Sequence, residues 1–318
     1  MTQHVVTRRG AACVGAGLAC LALAAFAVPA GAQERLPVVA TFSILGDLVH
    51  QVGGDRVSVD MLVGPNGDAH VFSPSPSDAR KVARAKAVFT NGLGLEGWLE
   101  RLIKASGTKA PVVTVSQGVA ALEGEEDAHE KPAKGKAAAN EHERLDPHAW
   151  QDVGNAKIYV QNIRDALIAT DPAGKSVYEG NADAYLAELD KLEGEVKAAI
   201  ALIPPERRRI ITTHDAFGYF AKAYGMEFIA PQGVSTETEA SARDVGRIIQ
   251  QIRKAKVPAV FLENVTDPRL IQRIAKESGA KIGGKVFSDA LSEPGGPAAT
   301  YVDMIRNNVR AFSAALMS

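Results

Sequence analysis

The chain has 318 residues, of which 23% are charged, and its formal net charge is −1. This balance lacks the basic excess expected of a protein that binds nucleic acid or anionic membrane surfaces. The length predicts two domains of ordinary size or one large domain, and either can bury a sizeable core.

The first 32 residues have the layout of a secretory signal peptide. Arg8 and Arg9 precede an apolar run that ends at about Val28, and small residues continue to Ala32. We therefore expect cleavage near Ala32 and export to the periplasm. A membrane anchor fits less well because the run is short and rich in alanine and glycine. The residues around the arginine pair match a twin-arginine signal poorly, which favours general secretion.

The two cysteines, Cys13 and Cys20, both lie in this segment. The residues before Cys20 fit the lipobox of a lipid-anchored protein imperfectly, so cleavage near Ala32 is the prediction. The chain beyond Ala32 then contains no disulfide and no thiolate. Any soft-metal chemistry must use histidines and carboxylates.

Beyond the signal, short apolar runs alternate with amphipathic segments. The apolar runs predict strands at 38–42, 57–63, 87–90 and 112–114. The amphipathic segments predict helices at 44–52, 77–85 and 95–105. Alternation of this kind indicates βα units with a mostly parallel sheet and helices on both faces.

Residues 123–144 interrupt this alternation. The segment is dense in acidic and basic residues, and alanine is its main apolar residue. It contains His129 and His142. We predict a charged surface loop here.

Two helices follow the loop, at 156–169 and at 178–203, and the second has apolar residues at helical spacing over many turns. The second half of the chain then repeats the earlier alternation. Strands are predicted at 210–213, 228–230, 259–262 and 281–282, the last extending at most to 287, and helices at 217–224, 242–256, 268–278 and 301–317.

The pattern predicts an α/β protein with two βα lobes, each built on a mostly parallel sheet and joined by one long rigid helix. The expected divisions are a signal peptide at 1–32, a first lobe at 33–173, a linker helix at 174–203 and a second lobe at 204–318.

Three histidines and one aspartate stand out by position. His70 follows a predicted strand, His148 follows the charged loop, His214 ends a predicted strand, and Asp289 follows a short apolar run. Ligands of open α/β sheets bind at the carboxyl ends of strands. Three imidazoles and one carboxylate would make a tetrahedral set suited to zinc. The four residues are far apart in sequence, however, and a single histidine at a strand end is more often a surface residue.

Four sequence pieces carry a family resemblance. They are Gly64–His70 with the following Ser73–Asp78, Asp146–Trp150, Thr213–Phe220 and Ser288–Asp289. In this order, they resemble the metal-binding proteins of ABC-type zinc and manganese importers, and the resemblance spans essentially the whole chain after the signal.

The resemblance implies two βα lobes joined by a rigid helix, with the metal between them. It implies His70 and His148 as ligands from the first lobe, and His214 and Asp289 as ligands from the second. Family members associated with manganese often have glutamate where this chain has His214. An imidazole there favours zinc, because harder ions prefer oxygen. Zinc members often have a histidine-rich loop before the second ligand, whereas this chain has two histidines there.

The expected function is therefore periplasmic capture of Zn²⁺ and its delivery to the membrane permease of an ABC importer. Mn²⁺ is the alternative cargo. A metallochaperone that loads the site is a further candidate partner. We expect a monomer that does not bind nucleic acid.

Two other functions are weighed against this one. A zinc-dependent hydrolase would keep a coordination position open for water, and four protein ligands would fill the shell. Neither a His-Glu-x-x-His helix nor a Gly-x-Ser-x-Gly turn is evident, although Glu237, Glu239 or Glu263 could in principle act as a base. A scaffold that uses metal only for stability is the other alternative. Asp68 and Asp215 are candidates for orienting the ligands, although exposed acids at strand ends are the more common case.

Overall fold

Two four-stranded parallel sheets form the framework of the protein. The computed structural model describes residues 34–124, 145–255 and 257–317. The predicted signal peptide and almost all of the predicted charged loop lie outside the described residues.

The first sheet belongs to the first lobe. Its strands are β1 (Leu36–Phe42), β2 (Val57–Val63), β3 (Ala87–Thr90) and β4 (Val112–Thr114), in the order β2-β1-β3-β4. The helices that alternate with these strands are α1 (Ser43–Gly53), α2 (Pro76–Arg84) and α3 (Leu99–Ser106). Helix α2 begins at a capping box formed by Ser75 and Asp78, which satisfies backbone N–H groups of its first turn.

Two long helices follow, α4 (Val153–Thr170) and α5 (Lys175–Ala201). At 27 residues, α5 is about 40 Å long. It packs against α1 and α4 on one side of the molecule and against α9 (Tyr301–Met317) of the second lobe. The main hydrophobic core runs along this helix and includes residues of both lobes. One face of this helix is thus part of the core.

The second sheet belongs to the second lobe. Its strands are β5 (Arg209–Ile211), β6 (Glu227–Ile229), β7 (Ala259–Glu263) and β8 (Lys281–Val286), in the order β6-β5-β7-β8. Its helices before α9 are α6 (Gly218–Tyr224), α7 (Ala242–Ala255) and α8 (Pro268–Ser278). Because strands are ordered in the same way in both sheets, the two lobes share one topology.

The predicted α/β architecture is confirmed, with one clear difference in a helix boundary. Helix α3 begins at Leu99, four residues later than the sequence predicts. Gly92, Leu93 and Gly94 have φ angles of 82°, 54° and 87°, a left-handed backbone that a helix does not use, and residues 95–98 form turns before the helix begins. In the described part of the chain, no helix is long and apolar enough to cross a membrane.

Candidate metal centre

The four predicted ligands meet between the two sheets. His70 lies in the loop after β2, and His214 and Asp289 each lie three residues beyond the ends of β5 and β8. His148 precedes a short 3-10 turn that leads into α4. Parallel strands place their carboxyl ends at one edge of a sheet, and these edges face each other across the lobes. The topology therefore accounts for the places of His70, His214 and Asp289, whereas His148 comes from the 3-10 turn.

The four donor groups are close enough to share one ion. One ligand atom from each residue lies within 4.8 Å of the ligand atoms of the other three. The Nε2 atoms of His70 and His148 are 3.3 Å apart. The carboxylate oxygens of Asp289 lie 3.5 Å, 3.4 Å and 3.0 Å from the Nε2 atoms of His70, His148 and His214. Ligand atoms bound at 2.0–2.1 Å to a tetrahedral ion are separated by about 3.3 Å, so the set fits a transition metal.

The burial of the site also fits a cation. His148, His214 and Asp289 are fully buried, and His70 is 7% exposed. Among the described residues, neither carboxylate oxygen of Asp289 has a partner in hydrogen-bonding geometry. A buried carboxylate without such partners is costly unless a cation compensates it. His70 provides the exposed edge of the site.

Asp146 orients His148. One carboxylate oxygen, Oδ1, accepts hydrogen bonds from the His148 ring at Nδ1 (2.7 Å) and from the His148 backbone N–H (2.9 Å). The Asn91 side chain holds the same turn by donating to the Pro147 carbonyl. With a proton on Nδ1, the ring presents Nε2 to the metal.

Glu263 has the corresponding place beside His214. Its Oε2 lies 2.5 Å from Nδ1 of the His214 ring. Its Oε1 accepts hydrogen bonds from the backbone N–H groups of Thr213 and His214. From the sequence, Glu263 is one of several acids that could serve as a base. In the structure, Glu263 is 3% exposed and lies against the predicted ligand His214. Glu263 is the last residue of β7, next to β5 in the sheet, and this neighbourhood is evident only from the folded structure.

Asp68 contacts the His70 loop through the backbone. Its Oδ1 accepts the backbone N–H of His70 at 2.9 Å, and its Oδ2 accepts a hydrogen bond from Thr236 of the second lobe. The contact of Asp68 with His70 is thus to the main chain, and its orienting role stays a prediction. Asp215, the other candidate, lines a surface cavity of about 640 Å³ together with Asp146.

The Asp289 loop is held by the opposite lobe. The Ser288 carbonyl accepts hydrogen bonds from Trp150 Nε1 and from the Gln151 side chain, at 2.9 Å and 2.7 Å. The Leu291 N–H donates to Ser43 Oγ at 2.9 Å. The first lobe therefore positions a ligand that the second lobe supplies.

The charged groups of the site shift the pKa values of one another. Burial alone would lower the pKa of His214, but the carboxylates of Glu263 and Asp289 outweigh it and raise that pKa well above the usual value. Burial would raise the pKa of Asp289, but His214 and His148 outweigh it and hold that pKa well below its usual value. Asp289 is therefore an ionised carboxylate, as a metal ligand must be.

Comparison with known proteins shows the family of the chain. The family model described as "ZnuA: Zinc-uptake complex component A periplasmic" matches residues 38–315. The chain belongs to this family, the metal-binding solute-binding proteins of ABC importers. The prediction of a binding protein instead of an enzyme is thereby confirmed.

Individual relatives differ in the metal that their names state. The manganese-binding lipoprotein MntA of Halalkalibacterium halodurans is 36% identical over 89% of each chain. The iron-binding protein YfeA of Yersinia pestis is 32% identical, over 88% of this chain and 86% of its own. The solved periplasmic zinc-binding protein TroA of Treponema pallidum is 31% identical, with a TM-score of 0.79 over 89% of this chain and 99% of its own. The protein is a metal-binding member of the family, and the choice of metal is a separate question.

Proposed function

We propose that this protein captures Zn²⁺ in the periplasm with His70, His148, His214 and Asp289 and delivers it to the membrane permease of an ABC importer. The observation that carries the proposal is the convergence of these four buried donors, two from each lobe, within 4.8 Å of one another. Cleavage near Ala32 and the lobe boundaries drawn above are parts of this proposal. So are a monomeric state and a metallochaperone that loads the site.

The donor set supports zinc over manganese. Three of the four groups are imidazoles, and zinc is bound well by nitrogen donors, whereas Mn²⁺ prefers oxygen. Four protein ligands also complete a tetrahedral shell, which suits zinc. Manganese stays the alternative cargo because relatives of comparable similarity are named for manganese, iron and zinc.

A competition titration on metal-stripped protein tests the proposal. Zinc and manganese are titrated against a chelating indicator, with wild type, His214→Ala and His50→Ala in parallel. His50 is an exposed histidine of α1, so its loss should leave binding unchanged. We expect one zinc ion per chain, bound more tightly than manganese, and weakened binding in His214→Ala alone.

Each other outcome changes the proposal in a defined way. Tighter binding of manganese would keep the carrier function and replace the metal. Equal weakening by His50→Ala would show that a surface histidine, instead of the buried cluster, holds the ion. Failure of wild type to bind either ion would overturn the proposal.

A further inference from the structure

Glu263 is a buried acid whose partners all belong to one ligand and its turn. Its side chain is fully buried at the end of β7. Within the described residues, the partners that the structure gives its carboxylate are the His214 ring and the backbone N–H groups of Thr213 and His214. The two hydrogen bonds hold the turn, and the 2.5 Å contact of Oε2 with Nδ1, which is not in hydrogen-bonding geometry, places the carboxylate beside the imidazole.

The charge of Glu263 needs compensation at this position. A buried carboxylate is strongly unfavourable unless it is paired with positive charge and hydrogen-bonded. The His214 ring is the group through which a bound divalent ion can share its charge with Glu263. The carboxylate and the ion then lie on opposite sides of one imidazole, each in contact with a different ring nitrogen.

Such a carboxylate changes the strength of the imidazole as a ligand. A carboxylate that accepts the Nδ1 proton makes Nε2 more basic and fixes the ring orientation. The ion that binds nitrogen donors more strongly should gain more affinity from the more basic Nε2. Zinc depends on nitrogen donors more than manganese does, so the effect should discriminate between the two ions.

We propose that Glu263 is a specificity-determining residue, which acts through His214 to favour zinc over manganese. The inference rests on the proposed function, since it deepens the assignment of the same site. Asp289 differs because it offers oxygen to either ion directly. Glu263 affects the ion only by way of the nitrogen that it supports.

The residue after Glu263 connects the end of β7 to the loops of two other predicted ligands. Asn264 donates hydrogen bonds to the Ala290 carbonyl, next to Asp289, and to Asn66 in the His70 loop, at 3.1 Å and 3.3 Å. The end of β7 is therefore anchored on both lobes.

The test compares zinc and manganese affinities of wild type and Glu263→Gln by competition titration. Glutamine keeps the length and one oxygen that can accept the backbone N–H groups, but it removes the charge. We expect zinc affinity to fall about 10- to 100-fold. Manganese affinity should fall less, so that the ratio of the two affinities drops at least about threefold. The matched control, Glu277→Gln on the exposed face of α8, should change neither affinity.

A double variant separates positioning from a general structural role. In a His214→Ala background, Glu263→Gln should add no further loss of zinc affinity, because its route to the ion is gone. An additive loss, a parallel loss for both metals, or unchanged affinities would each overturn the inference. If wild type itself binds no zinc, the proposed function fails instead.

A measurement on wild type covers the case in which Glu263→Gln does not fold. Nitrogen-15 NMR of the zinc-loaded protein should show His214 protonated at Nδ1 and bound to the metal through Nε2. Coordination through Nδ1 would overturn the inference, because Glu263 faces that nitrogen.

Discussion

Thr236 of the second lobe donates a 2.6 Å hydrogen bond to Oδ2 of Asp68 in the first lobe. The other oxygen of this carboxylate accepts the backbone N–H of His70. One side chain therefore links the most exposed ligand to the opposite lobe, at the edge of the site that is nearest to solvent.

Loss of this link should speed the release of metal. Thr236→Val keeps the shape of the side chain and removes the donor, at a cost of about 1 kcal/mol. We expect zinc to dissociate about fivefold faster, as measured by stopped-flow transfer to an excess of chelator. Thr238→Val, at an exposed position in the same loop, is the control. Equal rates in all three proteins would contradict a role for the link.

The support of His148 is a second target. Asp146→Asn removes the charge that accepts the Nδ1 proton of His148, and zinc affinity should fall about 10- to 100-fold. Asp165→Asn, on the exposed face of α4, makes the same chemical change away from the site. The comparison is by competition titration, and equal affinity of the two variants would show that Asp146 does not act on the ligand.

Metal affinity should decrease on acidification. Zinc binds neutral imidazole, so protons compete with it as the pH falls from about 8 to 5. The raised pKa of His214 acts in the same direction. A ring that keeps its proton to higher pH must lose that proton before it binds metal, so zinc affinity falls as the pH is lowered. Titrations across this range provide the measurement. An affinity that does not change with pH would rule out ligation by imidazoles.

The fold should survive removal of the metal. The main core includes residues of both lobes and does not depend on the four ligands for its contacts. We expect stripped protein to keep its far-ultraviolet circular dichroism. Zinc at 100 times its dissociation constant should then add about 2.7 kcal/mol to the free energy of unfolding. Unfolding on chelation would instead favour a scaffold stabilised by metal.

A fifth prediction concerns stability away from the site. Asp171 accepts hydrogen bonds from Arg56 and Tyr178, and the Arg56 contact holds the pKa of Asp171 below its usual value of 3.8. A carboxylate whose pKa is lowered in the folded state stabilises the fold at pH values above its pKa in the unfolded chain. This stabilisation is lost as the pH falls through its pKa in the folded state. Asp171→Asn should therefore lower the melting temperature at neutral pH, and the difference should shrink below about pH 4. A difference that is constant with pH would exclude this ion pair as its cause.

Residue type and strand position made His70, His148, His214 and Asp289 candidates, and the family resemblance was needed to select them as the predicted ligands. His214 and Asp289 follow apolar runs that form β5 and β8, and the parallel strands put both carboxyl ends at one edge of the sheet. The role of Glu263 depends on which strand lies beside β5, and sequence does not state this order. Asp146 lies two residues from a ligand, but its contact with the ring depends on the conformation of one turn.

Each lobe alone supplies only two of the four donors. An ion bound by all four would thus be held by two donors from each lobe. A relative movement of the lobes would displace the two donors of one lobe together, so we expect the ion to leave without unfolding of either sheet.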